Sequence, residues 1–130
     1  MMMVFTYDYN RSYNPSAPFV DIILNNERED ANPIPLSAQI DSGADSSLVP
    51  KYLLEEVGAT VEDQQMMITA DGFRQRVSLY GVSIKLAGRT FYPTVVAVAR
   101  GEEVIIGRDI LNRLVVTLDG YATTTRIEGE

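Results

Sequence analysis

The chain reads as an all-β domain, a closed β-barrel with a projecting hairpin and one short C-terminal helix. Three observations predict this. Short runs rich in Val, Ile, Thr, Tyr and Phe recur along the sequence, apolar and polar residues alternate within several of them, and turn residues separate them at intervals of roughly 8–12 positions. About nine short strands follow from that spacing.

The elements come in order. Residues 1–17 form an N-terminal arm or lead-in strand, polar and aromatic (Tyr7, Tyr9, Tyr13) and closed by Pro15 and Pro18. Residues 18–130 form the domain. Phe19–Leu24 is a mostly apolar strand, and Asn25–Pro35 is a charged connection with Asn, Asp and Pro turn signals. Leu36–Ile40 alternates and runs straight into Asp41-Ser42-Gly43. Pro50–Val57 suits one or two helical turns, with Pro50 at the start and Gly58 as the stop. Met66–Thr69 and Phe73–Tyr80 flank Ala70-Asp71-Gly72, and Asp-Gly is a hairpin signal. Val82–Leu86, a turn at Ala87-Gly88-Arg89, and strand-like Thr90–Ala99 follow. Val104–Ile106 is a buried-type run ending at Gly107, and a helix spans about Arg108–Leu114. The β-branched Val115–Leu118 ends that helix and returns to strand. Asp119-Gly120 then turns the chain into a last strand, Ala122–Glu128.

Composition removes several chemistries. The 130 residues suffice for one domain that needs no disulfide or metal staple. There is no cysteine and no histidine, which excludes disulfides, thiolate sites, a Ser-His-Asp triad and imidazole ligands. Acid–base work near neutral pH is left to carboxylates, Lys or Tyr. A net charge of -7 opposes nucleic-acid binding. The first 17 residues lack the pattern of a secretory signal, and no apolar window is long enough to span a bilayer. The expectation is a cytoplasmic protein, without cofactor, metal, nucleic-acid or membrane partner.

Two segments carry candidate chemistry. In Ala38-Gln39-Ile40-Asp41-Ser42-Gly43-Ala44-Asp45 an aspartate follows an apolar strand directly. Alone, this is also an ordinary Asp-Ser-Gly turn. Far downstream, Val104-Ile105-Ile106-Gly107-Arg108-Asp109-Ile110-Leu111 is, alone, a buried strand bending into a helix. Together, in this order and spacing, the two resemble the retropepsin-like aspartic proteases. That family carries apolar-Asp-(Thr/Ser)-Gly-Ala-Asp early and apolar-apolar-Gly-Arg-(Asp/Asn)-apolar-Leu late. The resemblance covers residues 18 to 120, and the segment from Leu111 to Gly120 looks closest to bacterial, non-viral members.

The resemblance implies a retropepsin-like barrel and an aspartic endopeptidase acting on extended peptide or protein substrates. It makes Asp41 the catalytic residue and Ser42, Gly43 and Ala44 its active-site loop. Asp45 and Arg108 match a family ion pair, whose bland alternative is two exposed charges. Thr69, Ala70, Asp71 and Gly72 occupy the place of the flap tip, although Asp71 departs from a glycine-rich tip and also reads as a plain turn. The chemistry is consistent with this set. Two carboxylates in contact cannot both ionise cheaply, so they share a proton; one then activates water while the other donates. The chain holds one Asp-(Ser/Thr)-Gly, so a homodimer must supply the second aspartate. Ala44 cannot donate a hydrogen bond to the carboxylate, which argues for a mildly acidic optimum.

Two rival readings share the same residues. A non-catalytic homodimeric peptide-binding module would use the same cleft. A metal-binding protein would use Asp41, Asp45 and Asp109, although Asp41-x-x-x-Asp45 lacks the pattern of a calcium loop. Ile68, Val49 and Val104–Ile106 are expected to make the cleft apolar. The stripe Phe5, Tyr7, Tyr9 either packs on its own barrel or joins a dimer or substrate surface.

Overall fold

A computed structural model describes residues 3–99 and 101–129. Residues 1 and 2 of the expected arm, and 100 and 130 of the expected domain, lie outside the described residues. The elements run β1 (Met3–Asp8), β2 (Phe19–Asn26), β3 (Ile34–Ile40), β4 (Leu48–Pro50), α1 (Lys51–Glu56), β5 (Val61–Ile68), β6 (Arg74–Leu86), β7 (Arg89–Phe91), β8 (Thr94–Val98), β9 (Val104–Ile106), α2 (Arg108–Leu111), β10 (Val115–Asp119) and β11 (Thr124–Gly129). No helix among them is long and apolar enough to cross a membrane.

The class is all-β, as expected, with differences of detail. Met66–Thr69 is the end of a longer strand, β5. Phe73–Tyr80 and Val82–Leu86 are one continuous strand, β6. Thr90–Ala99 splits into β7 and β8, because Pro93 has no N–H to give a ladder. Pro35 is tolerated inside β3 because β9 pairs only with Ala38–Ile40, leaving that side of Pro35 without a strand. The helical turns expected at Pro50–Val57 form α1, and α2 is shorter than the expected Arg108–Leu114. Its last turn tightens, with Leu114 N–H donating to Leu111 O at 3.1 Å, before β-branched Val115 starts the next strand.

One sheet follows the order β2-β3-β9-β4-β8-β6-β5, and β2 also pairs with β6, which curls it toward a barrel. Closure is less complete than expected. β5 remains a free edge, and β1-β11-β10 form a separate three-stranded sheet. Val20, Ile22 and Leu24 point inward from β2 while Asp21 and Ile23 point out, the period of two that a one-sided strand requires. They meet Ile40, Val49, Leu54, Ile84, Phe91, Val95, Ile106, Ile110 and Ile127 in one core. Ile127 carries the three-stranded sheet onto that core. Phe5 and Val116 sit opposite it in register on either side.

Buried polar groups pin the long β2–β3 connection. Asn26 Nδ2 donates to Val57 O at 2.8 Å and to Asp30 Oδ1 at 2.6 Å, while Asn25 Nδ2 reaches Ala31 O at 3.1 Å. α1 ends as expected at Gly58, whose φ of 68° is a left-handed conformation that glycine adopts without strain.

Truncating Ile127 to Ala should lower unfolding free energy by about 2–5 kcal/mol, read by urea denaturation. Tyr121→Ser, at a fully exposed position, should change it by less than about 0.5 kcal/mol.

Candidate active site

The parallel pairing of β3 and β9 builds the site. Ile40 lies beside Ile106, so the two strands end together. Asp41 N–H continues the ladder by donating to Ile106 O at 3.0 Å. The chain after Asp41 and the chain after Gly107 therefore leave the sheet side by side.

Asp41 is exposed at this point. Its Oδ1 accepts from Gly43 N–H at 2.9 Å, and its carbonyl accepts from Ala44 N–H at 3.2 Å, a tight turn that fixes the carboxylate's direction. A Cβ on Gly43 would stand 3.1 Å from that Oδ1, so glycine keeps the approach to the carboxylate open. Among the described residues, no hydrogen bond within the chain engages Oδ2.

Arg108 closes the loop from the other side. Its backbone N–H donates to Ala44 O at 2.9 Å, its Nη1 donates to Ser42 O at 2.6 Å, and its Nη2 pairs with Asp45 Oδ1. The structure thus brings Ser42, Ala44, Asp45 and Arg108 together around the turn at Asp41. The Asp45 side chain is 86% exposed and that of Arg108 44%, so the ionic part contributes under about 1 kcal/mol. The value of the guanidinium lies in its fork, which holds a carbonyl and a carboxylate of the same loop at once.

A second tie, through Ser47, is absent from the reading of the sequence. Ser47 is fully buried. Its N–H donates to Asp109 Oδ2 at 3.0 Å and its hydroxyl to Asp109 Oδ1 at 2.7 Å, while its Oγ accepts from Gly107 N–H at 3.1 Å. Asp109 also accepts from Ile110 N–H at 3.0 Å. One carboxylate and one hydroxyl thereby satisfy the donors at the start of α2 and lock it to the strand entering the core. A Ser between a charged loop and Leu48-Val49 was the only available signal. The link itself joins residues far apart in sequence. Because Asp45 and Asp109 are committed to Arg108 and Ser47, Asp41, Asp45 and Asp109 do not converge. Among the described residues, no three acidic side chains form a metal-binding group.

Gly107 has a steric reason. A Cβ there would come within 2.8 Å of Ala44 O and of both C and O of Ser46, all backbone atoms that cannot step aside.

Thr69, Ala70, Asp71 and Gly72 form the tip of the β5–β6 hairpin, beyond the Gln65–Ile68 stretch that lines the cleft beside the Asp41 loop. Thr69 N–H donates to Phe73 O at 2.8 Å, and the Thr69 hydroxyl bonds Asp71 and Phe73 O. That hydroxyl holds the Asp71 carboxyl below its usual value, so the ionised turn is favoured above the ordinary carboxylate pKa and the effect is lost as pH falls through the lowered one. Between hairpin and loop lies a cleft of about 570 Å³, lined by Gly43–Ser46, Leu48, Gln65–Ile68, Val77 and Val96. Of the expected apolar lining only Ile68 is there. Val49, Val104 and Ile106 point into the core, the opposite face of their strands, and Leu48 and Val96 take their place. Phe5 and Tyr7 pack against their own core. They line a separate cavity of about 570 Å³ with Asp21, Leu36 and Lys85.

The model of the aspartyl protease family matches residues 25–110, well over half of the chain and spanning both motif segments. Among solved structures, a retropepsin-like aspartic protease from Rickettsia conorii superposes with a TM-score of 0.67 at 11% identity, covering 98% of this chain and 92% of that one. The EIAV protease, solved with an inhibitor, gives a TM-score of 0.56 at 21% identity, covering 75% of this chain and 86% of that one. No curated protein matches the sequence.

Ser47→Ala should destabilise the fold by about 1–3 kcal/mol, since it strands the buried Gly107 N–H and an Asp109 oxygen. Gly107→Ala should be worse than Ser47→Ala. Chemical denaturation of the two variants beside wild type checks both the size and the order.

Proposed function

The chain belongs to the aspartyl protease family and has a retropepsin-like fold, and from that premise we propose that it is an endopeptidase whose catalytic group is Asp41. The observation that carries the reading is the Asp41 turn. It is an exposed carboxylate fixed by Gly43 through one oxygen and free at the other, on a turn braced by Arg108 whose following residues, Gly43–Ser46, line the cleft.

A single carboxylate cannot both take a proton from water and give one to the scissile carbonyl. A second copy of the chain supplies the partner, Asp41 facing Asp41 across a two-fold axis. The two charges in contact raise one apparent pKa and lower the other, and the pair titrates as a unit. The ionised carboxylate draws the proton from a water between them as that water attacks the carbonyl carbon. The neutral carboxyl protonates the carbonyl oxygen. Collapse of the tetrahedral diol then breaks the C–N bond: one carboxyl gives its proton to the leaving nitrogen while the other carboxylate takes the proton of a diol hydroxyl, so the products are an amine and a carboxylic acid and the dyad again holds one proton. Ser42 hydroxyls tie the two loops together, and Gly43 O accepts from the substrate backbone.

The substrate is an extended peptide. The β5 edge is unpaired, and the cleft beside it is lined by Met66, Met67, Ile68, Leu48, Val77 and Val96, so a strand lying there gains backbone bonds from an edge and apolar pockets for alternate side chains. The β5–β6 hairpin acts as the flap over it, with Ile68 and Phe73 exposed near the tip. Residues 18–130 form this protease domain, and its place of action is the cytoplasm.

Asp41→Asn should fold normally and lose peptide cleavage, read by mass spectrometry of a mixed peptide library. Wild-type specific activity should fall on dilution as the dimer dissociates. Cleavage that survives in Asp41→Asn removes this assignment. Retained peptide binding without cleavage by wild-type dimer would favour the non-catalytic module. The rate should peak at mildly acidic pH, because Ala44 offers no hydroxyl to hold the dyad's pKa low. A peak below about pH 3 contradicts that point, the pepsin dyad titrating near 1.5 and 4.7.

A further inference from the structure

The crevice beside β1 is separate from the Asp41 cleft. It consists of two chambers, of about 570 and 410 Å³, which share Tyr7, Asp21 and Ser37 and share no lining residue with the cleft. We infer that the larger chamber is a binding site for short peptides of two or three residues with both ends free. The peptide ammonium meets Asp21, and the peptide carboxylate meets Lys85.

The sheet sets the spacing of the two charges. On the outer face of β2, Ile23 stands between Pro35 of β3 and Lys85 of β6. Asp21 comes next along that face, beside Ser37. Asp21 and Lys85 are therefore diagonal neighbours, with Cβ atoms about 7–8 Å apart. An extended dipeptide spans about 7 Å and a tripeptide about 10 Å. The flexible Lys85 stem covers that difference. A pentapeptide spans about 17 Å and reaches both charges only by bending.

Neither charge is spent within the chain. Among the described residues, Asp21 and Lys85 enter no ion pair. The Asp21 side chain has only the Ser37 hydroxyl, donating at 3.4 Å. An ammonium has three protons to place, and the oxygens of Asp21, Ser37 and Tyr7 stand where the two chambers meet. Burial, and after it the charge of Asp21, push the Tyr7 hydroxyl above its ordinary pKa, so it stays neutral beside the carboxylate.

The rest of the chamber suits what lies between the two ends. Phe5, Ile22, Ile23, Pro35 and Leu36 give it mostly apolar walls, against which peptide side chains can pack. Its volume is that of a small-molecule site, and a few polar groups in apolar walls are what fix a ligand's orientation. One charge alone would select a simple amine or a simple acid. Two of opposite sign at a set spacing select a zwitterion and measure its length.

The probe is the dipeptide Leu-Phe, titrated into the isotope-labelled full chain and followed by amide NMR shifts. The shifts should centre on Phe5–Tyr7, Asp21–Ile23 and Lys85–Gly88, and leave Gly43–Ser46 in place. Measured at those amides, N-acetyl-Leu-Phe, Leu-Phe amide and the pentapeptide Leu-Phe-Leu-Phe-Leu should each bind at least about tenfold more weakly. Asp21→Asn and Lys85→Met, both at exposed positions, should weaken Leu-Phe by at least about tenfold while the circular dichroism spectrum and melting temperature stay unchanged. No shift in the crevice up to about 10 mM Leu-Phe, or shifts confined to the Asp41 loop, would overturn the site. Leu-Phe amide binding as tightly as Leu-Phe would mean that an amine alone is read, and would overturn the ligand class. So would undiminished binding to either variant. The Asp41 assignment stands or falls separately, on cleavage.

Discussion

The parallel alignment of β3 with β9 is the constraint on which the rest of the site depends. It sets Ile40 beside Ile106, both buried, so the position of Asp41 is inherited from the core rather than from its own loop. With the last apolar residue of each strand buried, the chain leaves both strands at the same place: Asp41 emerges into solvent while Gly107 stays packed against the Ala44–Ser46 backbone. Two locks then hold what the strands deliver. The outer one is the Arg108 fork on Ser42 and Asp45, exposed and weak as an ion pair. The inner one is Ser47 between Asp109 and Gly107, buried and costly to break. The inner lock carries stability, and the outer one carries the direction of the loop.

Much of this was legible in the sequence because local signals and their spacing agree. The apolar run into Asp41-Ser42-Gly43, and the run into Gly107-Arg108, each announce a strand that ends in a turn. Asp71-Gly72 and Ala87-Gly88 mark the hairpin turns where they occur, and Gly58 stops α1. The failures have physical causes. The runs on either side of Gly81 read as two strands, yet the ladder passes through it, from β8 to β2. β4 was missed because three residues cannot display a period. Val49 was assigned to the cleft on hydrophobicity alone, and one step of pleat sends Leu48 to the cleft and Val49 to the core. The Ser47–Asp109 tie has no local signature, since it joins residues brought near by topology.

The three-stranded sheet shows how one chain uses its termini. β11 lies between β1 and β10, and Ile127 anchors it to the core, so the ends of the chain complete their own subunit. This leaves β1 and β10 as the outer strands of the small sheet and β5 as an outer strand of the large one. β5 borders an open cleft with methionines and Ile68 along it, a surface suited to varied extended peptides. β10 carries no charge before Asp119.

The central claim is that one catalytic unit contains one Asp41 from each of two chains. The most direct measurement holds wild type at a fixed concentration, adds increasing Asp41→Asn protein, allows the subunits to exchange, and follows peptide cleavage. Activity should fall toward zero as the variant sequesters wild-type chains in mixed pairs with a single aspartate. Activity that stays constant while mixed pairs are shown to form would mean that each chain works alone, and would contradict the account.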